Sequence, residues 1–186
     1  MANSKLSLIN NALILIGDVP LTSLTSGTRA QVVATSLYDN IIENELSKHR
    51  WGFARSIAQL SKDAVAPLGN EWETSYTLPA DMLALIKIDP SVPYQIINSN
   101  VHCNYSGTLF CDYMRKPSES AWPAYFAKMI EYALAMDFAP SIRDSASSMQ
   151  TLAQQYLNAS RMARYTDSQQ HPQVAIQDRP FINVRY

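Results

Sequence analysis

SKHRWGFAR, residues 47–55, marks the place where the chain changes from a helical to an extended pattern. Lys48, His49 and Arg50 stand where the C-terminus of a helix would carry partial negative charge, which basic side chains stabilise. Gly52 follows, and glycine lets a chain leave a helix because it tolerates backbone angles that other residues avoid. We therefore expect a long helix to end at about residue 48 and a different kind of structure to begin after it.

Two helices are predicted before this stretch. The first covers residues 4–16, where leucine and isoleucine recur at helical spacing and Gly17 can end the helix. The second covers residues 28–48, with aliphatic residues on one face and Asp39 and Glu43 on the other. A short loop rich in turn-forming residues separates them, so the two helices are expected to pack antiparallel.

The segment 57–114 follows a strand pattern. Large and polar residues alternate from Trp72 to Leu78, which is typical of a half-buried strand. Several prolines interrupt the segment and argue against long central strands. Ser106-Gly107 lies between two alternating runs and favours a hairpin turn. The segment predicts a small antiparallel β insertion of three to five strands, with Trp51 and Phe53 buried where the long helix meets it.

Helical spacing returns over residues 122–139 and 144–164. The first of these helices opens with Trp122-Pro123, and proline is favoured in a first helical turn. The expected fold is mainly α: an antiparallel bundle of about four helices, with the β insertion between the second and third helices. Residues 1–165 are expected to form this domain, and residues 166–186, which have no helical period, an extended C-terminal tail.

Composition limits the possible functions. The chain has 186 residues and 47% hydrophobic residues, enough for one domain with a substantial core. Charged residues make up 17%, below the share of about 25% in typical soluble domains. The net charge of −1 provides no basic face for gripping nucleic acid. No signal peptide or membrane-spanning run is evident, so we expect assembly in a cytosol, free cysteine thiols and no membrane partner.

No residue pattern predicts an enzyme, a metal site or a cofactor site. His102, Cys103, Cys111 and Asp112 are metal-binding types, but their spacing does not match a zinc site, and the two cysteines are expected to be small apolar side chains facing each other across a hairpin. The five glycines are isolated, so no phosphate-binding loop exists. A hydrolase would need paired carboxylates, and the candidates are Glu43, Glu45, Glu71 and Glu73. The last two share a strand face, and one of them facing solvent explains them better.

The end of the tail is more apolar and more strand-prone than the polar residues before it. Four residues in alternation are candidate partner-binding anchors, because an extended peptide gains affinity from its backbone and specificity from alternate side chains. These are Phe181, Ile182, Val184 and Tyr186. The alternative is a strap that covers its own domain.

Six segments stand out as a set: LINNALILIGDVPLTSL (8–24), the helix from Arg29, HRWGFA (49–54), YTLPAD (76–81), LALIKID (83–89) and PAYF (123–126). Together they resemble the tail tubular protein A family, the head–tail adaptor (connector) proteins of short-tailed bacteriophages. The resemblance covers about residues 4–165 and does not extend into the tail.

This resemblance implies a structural virion protein that is not an enzyme. The family's subunits form a ring, expected to be a dodecamer, between the portal protein and the tail nozzle protein. The ring lines the channel through which DNA leaves without sequence-specific binding, and a chain without strong positive charge suits that passage. The expected location is the virion, after assembly in the host cytoplasm.

Two other functions remain open from the residues alone. One is a nucleic-acid-associated helical regulator, although the charge balance and the lack of a recognisable recognition helix argue against it. The other is a tail-associated cell-wall hydrolase, which only the unpaired carboxylates favour.

Overall fold

The computed structural model describes residues 3–67, 71–142 and 146–170. Four helices lie within these ranges: α1 (Lys5–Leu15), α2 (Arg29–Ser47), α3 (Ala124–Ile142) and α4 (Ala146–Gln169). Between α2 and α3 the described chain forms seven strands: β1 (Arg55–Gln59), β2 (Ser61–Lys62), β3 (Thr74–Thr77), β4 (Met82–Asp89), β5 (Tyr94–Ile97), β6 (Asn100–Cys103) and β7 (Phe110–Arg115).

Local sequence sets the starts of the first two helices. The Ser4 hydroxyl accepts a hydrogen bond from the backbone N–H of Ser7, and the Ser7 hydroxyl accepts one from the backbone N–H of Ser4. This reciprocal arrangement satisfies two backbone donors that a helix start would otherwise leave without partners. At the start of α2 a single bond does this, from the N–H of Gln31 to the Thr28 hydroxyl. After α1, Gly17 adopts a φ of 73°, a conformation that glycine reaches at little cost.

The strands form two antiparallel sheets. Sheet A has the order β1-β7-β4, and sheet B has the order β2-β3-β6-β5. The segment 55–62 contributes to both sheets, because β1 belongs to sheet A and β2 to sheet B. Leu60 lies buried between these two strands, where its backbone N–H donates to the carbonyl of Leu109. One short stretch of chain therefore ties the sheets together.

Two hydrophobic clusters form the interior. The larger one lies among the helices and includes Trp51, Phe126 and Phe138, and strand β7 adds Met114 to it. The smaller one lies between the two sheets, around Tyr76 and Leu109. Because β7 contributes to both clusters, sheet A connects the helices with sheet B.

The prediction of a mainly α fold with a small insertion is wrong. Over the described residues the chain is a mixed α/β protein, whose seven strands exceed the three to five expected. The strands that the pattern missed are short and polar. β2 has only two residues, both exposed, and β1 alternates between exposed and half-buried positions because it is an edge strand. Edge strands bury too little apolar surface to leave a clear signal.

The predicted hairpin at Ser106-Gly107 is also wrong. β6 belongs to sheet B and β7 to sheet A, so this turn carries the chain from one sheet to the other. A Cβ atom at 107 would lie 2.5 Å from the Tyr105 hydroxyl oxygen, so any other residue there would have to displace the Tyr105 ring. Cys103 and Cys111 consequently lie on different sheets and not opposite each other in a hairpin.

The four predicted helices are present with small differences at their ends. α3 continues past Pro140 to Ile142, because a proline near a helix C-terminus disturbs only the last turn. α4 continues to Gln169, so residues 166–169, expected in the tail, are helical. The buried side chain of Asp167 holds this last turn in place.

Candidate functional site: a buried joint and two exposed faces

The buried carboxylate of Asp167 joins three separate parts of the chain. Its two oxygens lie 3.2 Å from the backbone N–H of Gly52, and one of them accepts a hydrogen bond of 2.8 Å from the Tyr125 hydroxyl. The Nε2 atom of His49 lies 3.4 Å away. The Asp167 side chain is only 1% exposed, so these groups replace its water shell. We call this group, His49, Gly52, Tyr125 and Asp167, the joint.

The joint is sealed by aromatic rings. Trp51 is 1% exposed, and its ring packs edge-on against Phe126 with centroids 5.0 Å apart. Its indole N–H donates to the backbone carbonyl of Glu45 at 3.0 Å. The prediction that Trp51 is buried is confirmed, whereas Phe53 is only partly buried. Burial and the hydrogen bond to Asp167 raise the pKa of Tyr125 well above its usual value, so its hydroxyl remains a donor.

A second buried carboxylate, Glu45, lies in the last turn of α2. Its oxygens accept hydrogen bonds from the Tyr156 hydroxyl at 2.8 and 2.9 Å and from the Lys48 ammonium at 2.6 Å. Burial opposes the charged form of Lys48, but the hydrogen bond and charge of Glu45 outweigh it and raise the pKa of Lys48. Nearby, burial and then the charge of Glu45 raise the pKa of Asp137. Glu45 thus connects α2 to α4.

An ion pair and a cleft lie where sheet A faces the chain that leaves α2. The Arg55 guanidinium donates to both carboxylate oxygens of buried Asp112, and its Nε lies 2.7 Å from Oδ1. This bidentate contact raises the pKa of Arg55 despite desolvation. The adjoining cleft of about 300 Å³ is also lined by Arg50 and Lys87. Neither of those two side chains forms an ion pair with a described residue, so the cleft has an excess of positive charge.

Sheet B carries a polar cluster around Asp63. The carboxylate accepts hydrogen bonds from the hydroxyls of Ser75 and Thr77 and from the side-chain amide of Asn100, the last two at 2.6 and 2.7 Å. These bonds, that from Ser75 first, lower the pKa of Asp63. Both Asp63 oxygens accept hydrogen bonds from neighbours on the sheet. Stabilisation of the local structure therefore accounts for this polar cluster.

The exposed side of α4 combines apolar and basic side chains. α4 packs against α3 through its buried side, which includes Leu152 and Ala163. The opposite side presents Tyr165, which is 60% exposed, and residues within two turns of it. We call this set the α4 face: Leu157, Arg161, Met162, Arg164 and Tyr165.

The open edge of sheet B exposes apolar side chains. β5 is an edge strand, and its Tyr94 and Ile96 are 40% and 46% exposed. Gln95, between them, points to the other face of the sheet, where its side chain accepts a hydrogen bond of 3.2 Å from the indole N–H of Trp72.

The residues singled out from the sequence differ in where they lie in the structure. The predicted anchors Phe181, Ile182, Val184 and Tyr186 lie outside the described residues. Cys103 and Cys111 are free thiols buried between the sheets, as their apolar character indicated. Within the described ranges, no three His, Cys, Asp or Glu side chains are grouped to hold a metal ion. The absence of metal, cofactor and enzyme activity stays a prediction.

The four candidate carboxylates are not brought together as a catalytic pair. Glu43 forms an ion pair with Lys116, Glu45 is buried, and Glu71 and Glu73 are exposed in the segment before β3. Sequence reasoning missed the role of Asp167 completely. It assigned that residue to the tail because the apolar helical pattern had ended, and a buried acid leaves no hydrophobic signal.

The chain matches no protein-family model, and no curated protein is significantly similar to it. In the part of the chain that the structure describes, none of the helices has the length and apolarity needed to cross a bilayer.

Proposed function

We propose that this chain is a structural subunit of a phage virion, a head–tail adaptor that forms a ring between portal and tail nozzle and lines the DNA channel. One observation carries the proposal. Residues 49–54 and 123–126, two separate segments that resemble the adaptor family, supply the groups that bind the Asp167 carboxylate. Their convergence on one buried group supports the resemblance, because segments matched by chance have no reason to meet in space.

A rigid protomer is what a closed ring needs. Each copy contacts two neighbours through two different surfaces, and the ring closes only when the angle between those surfaces is constant. The joint fixes the end of α2 against α3 and α4, and β7 links the helical cluster to the cluster between the sheets. The helices and the sheets are thereby held as one unit.

The charge distribution suits a channel that DNA passes through. A lumen that made many contacts from lysine and arginine to phosphate would retain the genome, since each such contact adds affinity. With a net charge of −1 the chain has no such excess. The same balance disfavours a nucleic-acid-associated regulator.

The decisive experiment is native mass spectrometry of the full chain, alone and mixed with the portal protein of the same phage. We expect a complex that contains twelve copies of this 20.8 kDa chain for each portal ring, visible by electron microscopy as a ring below the portal. A chain that stays monomeric with portal, but binds duplex DNA with a steep dependence on salt, would contradict the adaptor function and favour the regulator.

We also propose that the C-terminal segment 171–186 is the peptide that docks on the portal or a neighbouring subunit. Phe181, Ile182, Val184 and Tyr186 are its expected anchors. Truncation after Gln170 is the appropriate test, because it retains Asp167 and the last turn of α4. We expect the shortened chain to melt at the same temperature and to lose portal binding. Unchanged portal binding together with a lower melting temperature would instead support a strap over its own domain.

A further inference from the structure

The cleft beside the Arg55–Asp112 ion pair carries more positive charge than its own carboxylate neutralises. Both oxygens of Asp112, the one acid that lines the cleft, accept hydrogen bonds from the Arg55 guanidinium. Arg50 and Lys87 line the same cleft, and neither forms an ion pair with a described residue. Three cations and one carboxylate leave two positive charges uncompensated. We call this set the basic cleft: Arg50, Gly52, Arg55, Ile86, Lys87 and Asp112.

The fold brings these charges together from separate parts of the chain. Arg50 lies in the segment that leaves α2, Arg55 on β1 and Lys87 on β4. In the register of sheet A, Lys87 and Ile57 are both directly opposite Asp112 of β7, so these three side chains point to one face of the sheet. Arg55 comes two residues before Ile57 and points to that same face. Strand pairing therefore places the charges around one recess.

The walls of the basic cleft are held by buried groups. Arg50 comes directly before Trp51, which is 1% exposed and donates its indole N–H to a backbone carbonyl of α2. Gly52 is held by the joint and adds no side chain to fill the cleft. Asp112, which is 3% exposed, fixes the Arg55 guanidinium by a bidentate contact. The cleft is therefore shaped before any ligand enters it.

We propose that the basic cleft binds a phosphate group. A phosphate presents oxygens in several directions, so it contacts cations from the α2 exit, β1 and β4 at the same time. A carboxylate has two oxygens in one plane, and a single guanidinium satisfies both, as Arg55 does for Asp112. A phosphate monoester carries about −1.5 to −2 charges at pH 7, which matches the two uncompensated positive charges. The cleft volume of about 300 Å³ is sufficient for this group with bound water.

Two sources supply this chemistry, free inorganic phosphate and the backbone of DNA. A single phosphate site agrees with the net charge of −1, which disfavours a continuous basic face and not one isolated contact. The inference goes beyond the proposed adaptor function and does not depend on it, because every residue of the cleft belongs to one chain.

Neutral substitutions in the basic cleft test the site. The cleft variant carries Arg50→Gln and Lys87→Gln, which removes the two unpaired cations and retains the Arg55–Asp112 contact. The control carries Lys62→Gln and Arg115→Gln, two exposed bases outside the cleft, so both variants lose two positive charges. Binding of inorganic phosphate to the full chain is measured at pH 7 by NMR titration of the backbone amides, at constant ionic strength. Circular dichroism melting checks that each variant is folded.

We expect phosphate to shift the amide signals of Gly52 and Lys87 in the wild type and to bind the control equally well. The cleft variant should bind phosphate at least about tenfold more weakly, because two of the three cations are gone. Sulfate, another tetrahedral anion, should compete for the site, whereas acetate at the same ionic strength should not. If the cleft variant does not fold, the amide shifts of the wild type and of the single variant Lys87→Gln decide the question.

A second titration with a short DNA duplex identifies the source of the phosphate. Shifts of the same amides that disappear in the cleft variant and remain in the control assign the site to backbone phosphate. Binding of inorganic phosphate without the duplex assigns it to free phosphate. The inference is overturned if phosphate leaves the amides of the cleft unshifted, if acetate shifts them equally, or if the cleft variant binds phosphate as tightly as the control. None of these measurements involves portal, so the adaptor function is tested separately.

Discussion

Asp167 in the helical half and Asp63 in the sheet half are both held by several hydrogen-bond donors, but the donors come from different distances along the chain. Gly52 and Tyr125 lie 115 and 42 residues from Asp167. The partners of Asp63 lie 12, 14 and 37 residues away, all on its own sheet. The first carboxylate fixes elements of the fold relative to one another, whereas the second stabilises one sheet surface. Substitutions in the two regions should therefore differ in size and in pH dependence.

The largest effect is expected at the aromatic seal of the joint. Trp51→Ala should lower the free energy of unfolding by about 3–5 kcal/mol, because it leaves a cavity beside Phe126 and removes a buried hydrogen bond. Urea unfolding followed by circular dichroism measures this value. Ile57→Ala on β1 is the matched control, since that side chain is 66% exposed and its loss should change stability by less than about 0.5 kcal/mol. Equal effects would show that the joint is not the core of the fold.

A smaller loss is expected when Asp167 itself is removed. Asp167→Ala should cost about 1–3 kcal/mol, because the N–H of Gly52 and the hydroxyl of Tyr125 lose an acceptor whose side chain is 1% exposed. Asp63→Ala should cost less, since its partners lie at a partly exposed surface where water can replace the carboxylate. Urea unfolding of both variants under the same conditions decides the order. If Asp63→Ala lowers the free energy of unfolding more than Asp167→Ala does, the proposed difference between the two regions is wrong.

The smallest effects concern pH and have opposite signs in the two halves. Hydrogen bonds lower the pKa of Asp63 in the folded state, so its contribution to stability is present above the unfolded pKa of about 3.9 and is lost as pH falls through the folded pKa. Burial raises the pKa of Asp137, so its ionisation weakens the fold as pH rises above the unfolded value.

Two amide variants separate these contributions. At pH 7, Asp63→Asn should destabilise the chain and Asp137→Asn should stabilise it. Both differences should shrink toward zero as pH falls below the folded pKa of Asp63. Melting temperatures recorded across the acid range measure this. A destabilising effect of Asp137→Asn at pH 7 would show that its carboxylate is held by favourable contacts and not merely desolvated.

The sequence was most informative where apolar residues follow a helical period. The four helices and the end of α2 near residue 48 were predicted because each helix buries a continuous apolar face, as in α3 from Phe126 to Phe138. The sheets were underestimated, because short strands such as β2 bury few side chains. The buried acids Glu45 and Asp167 were missed for another reason. Their burial depends on donors far along the chain, and no local pattern records such partners.

The separation of 115 residues between Gly52 and Asp167 also determines when the joint can form during synthesis. A ribosome releases the N-terminal part first, and at about 5–20 residues per second Asp167 follows Gly52 after about 6–23 s. Until residue 126 has been made, Trp51 has neither Tyr125 nor Phe126 to pack near, so an apolar stretch remains exposed. A nascent chain at this stage is a natural client for a chaperone, and on a crowded polysome it lies close to other copies with the same exposed stretch.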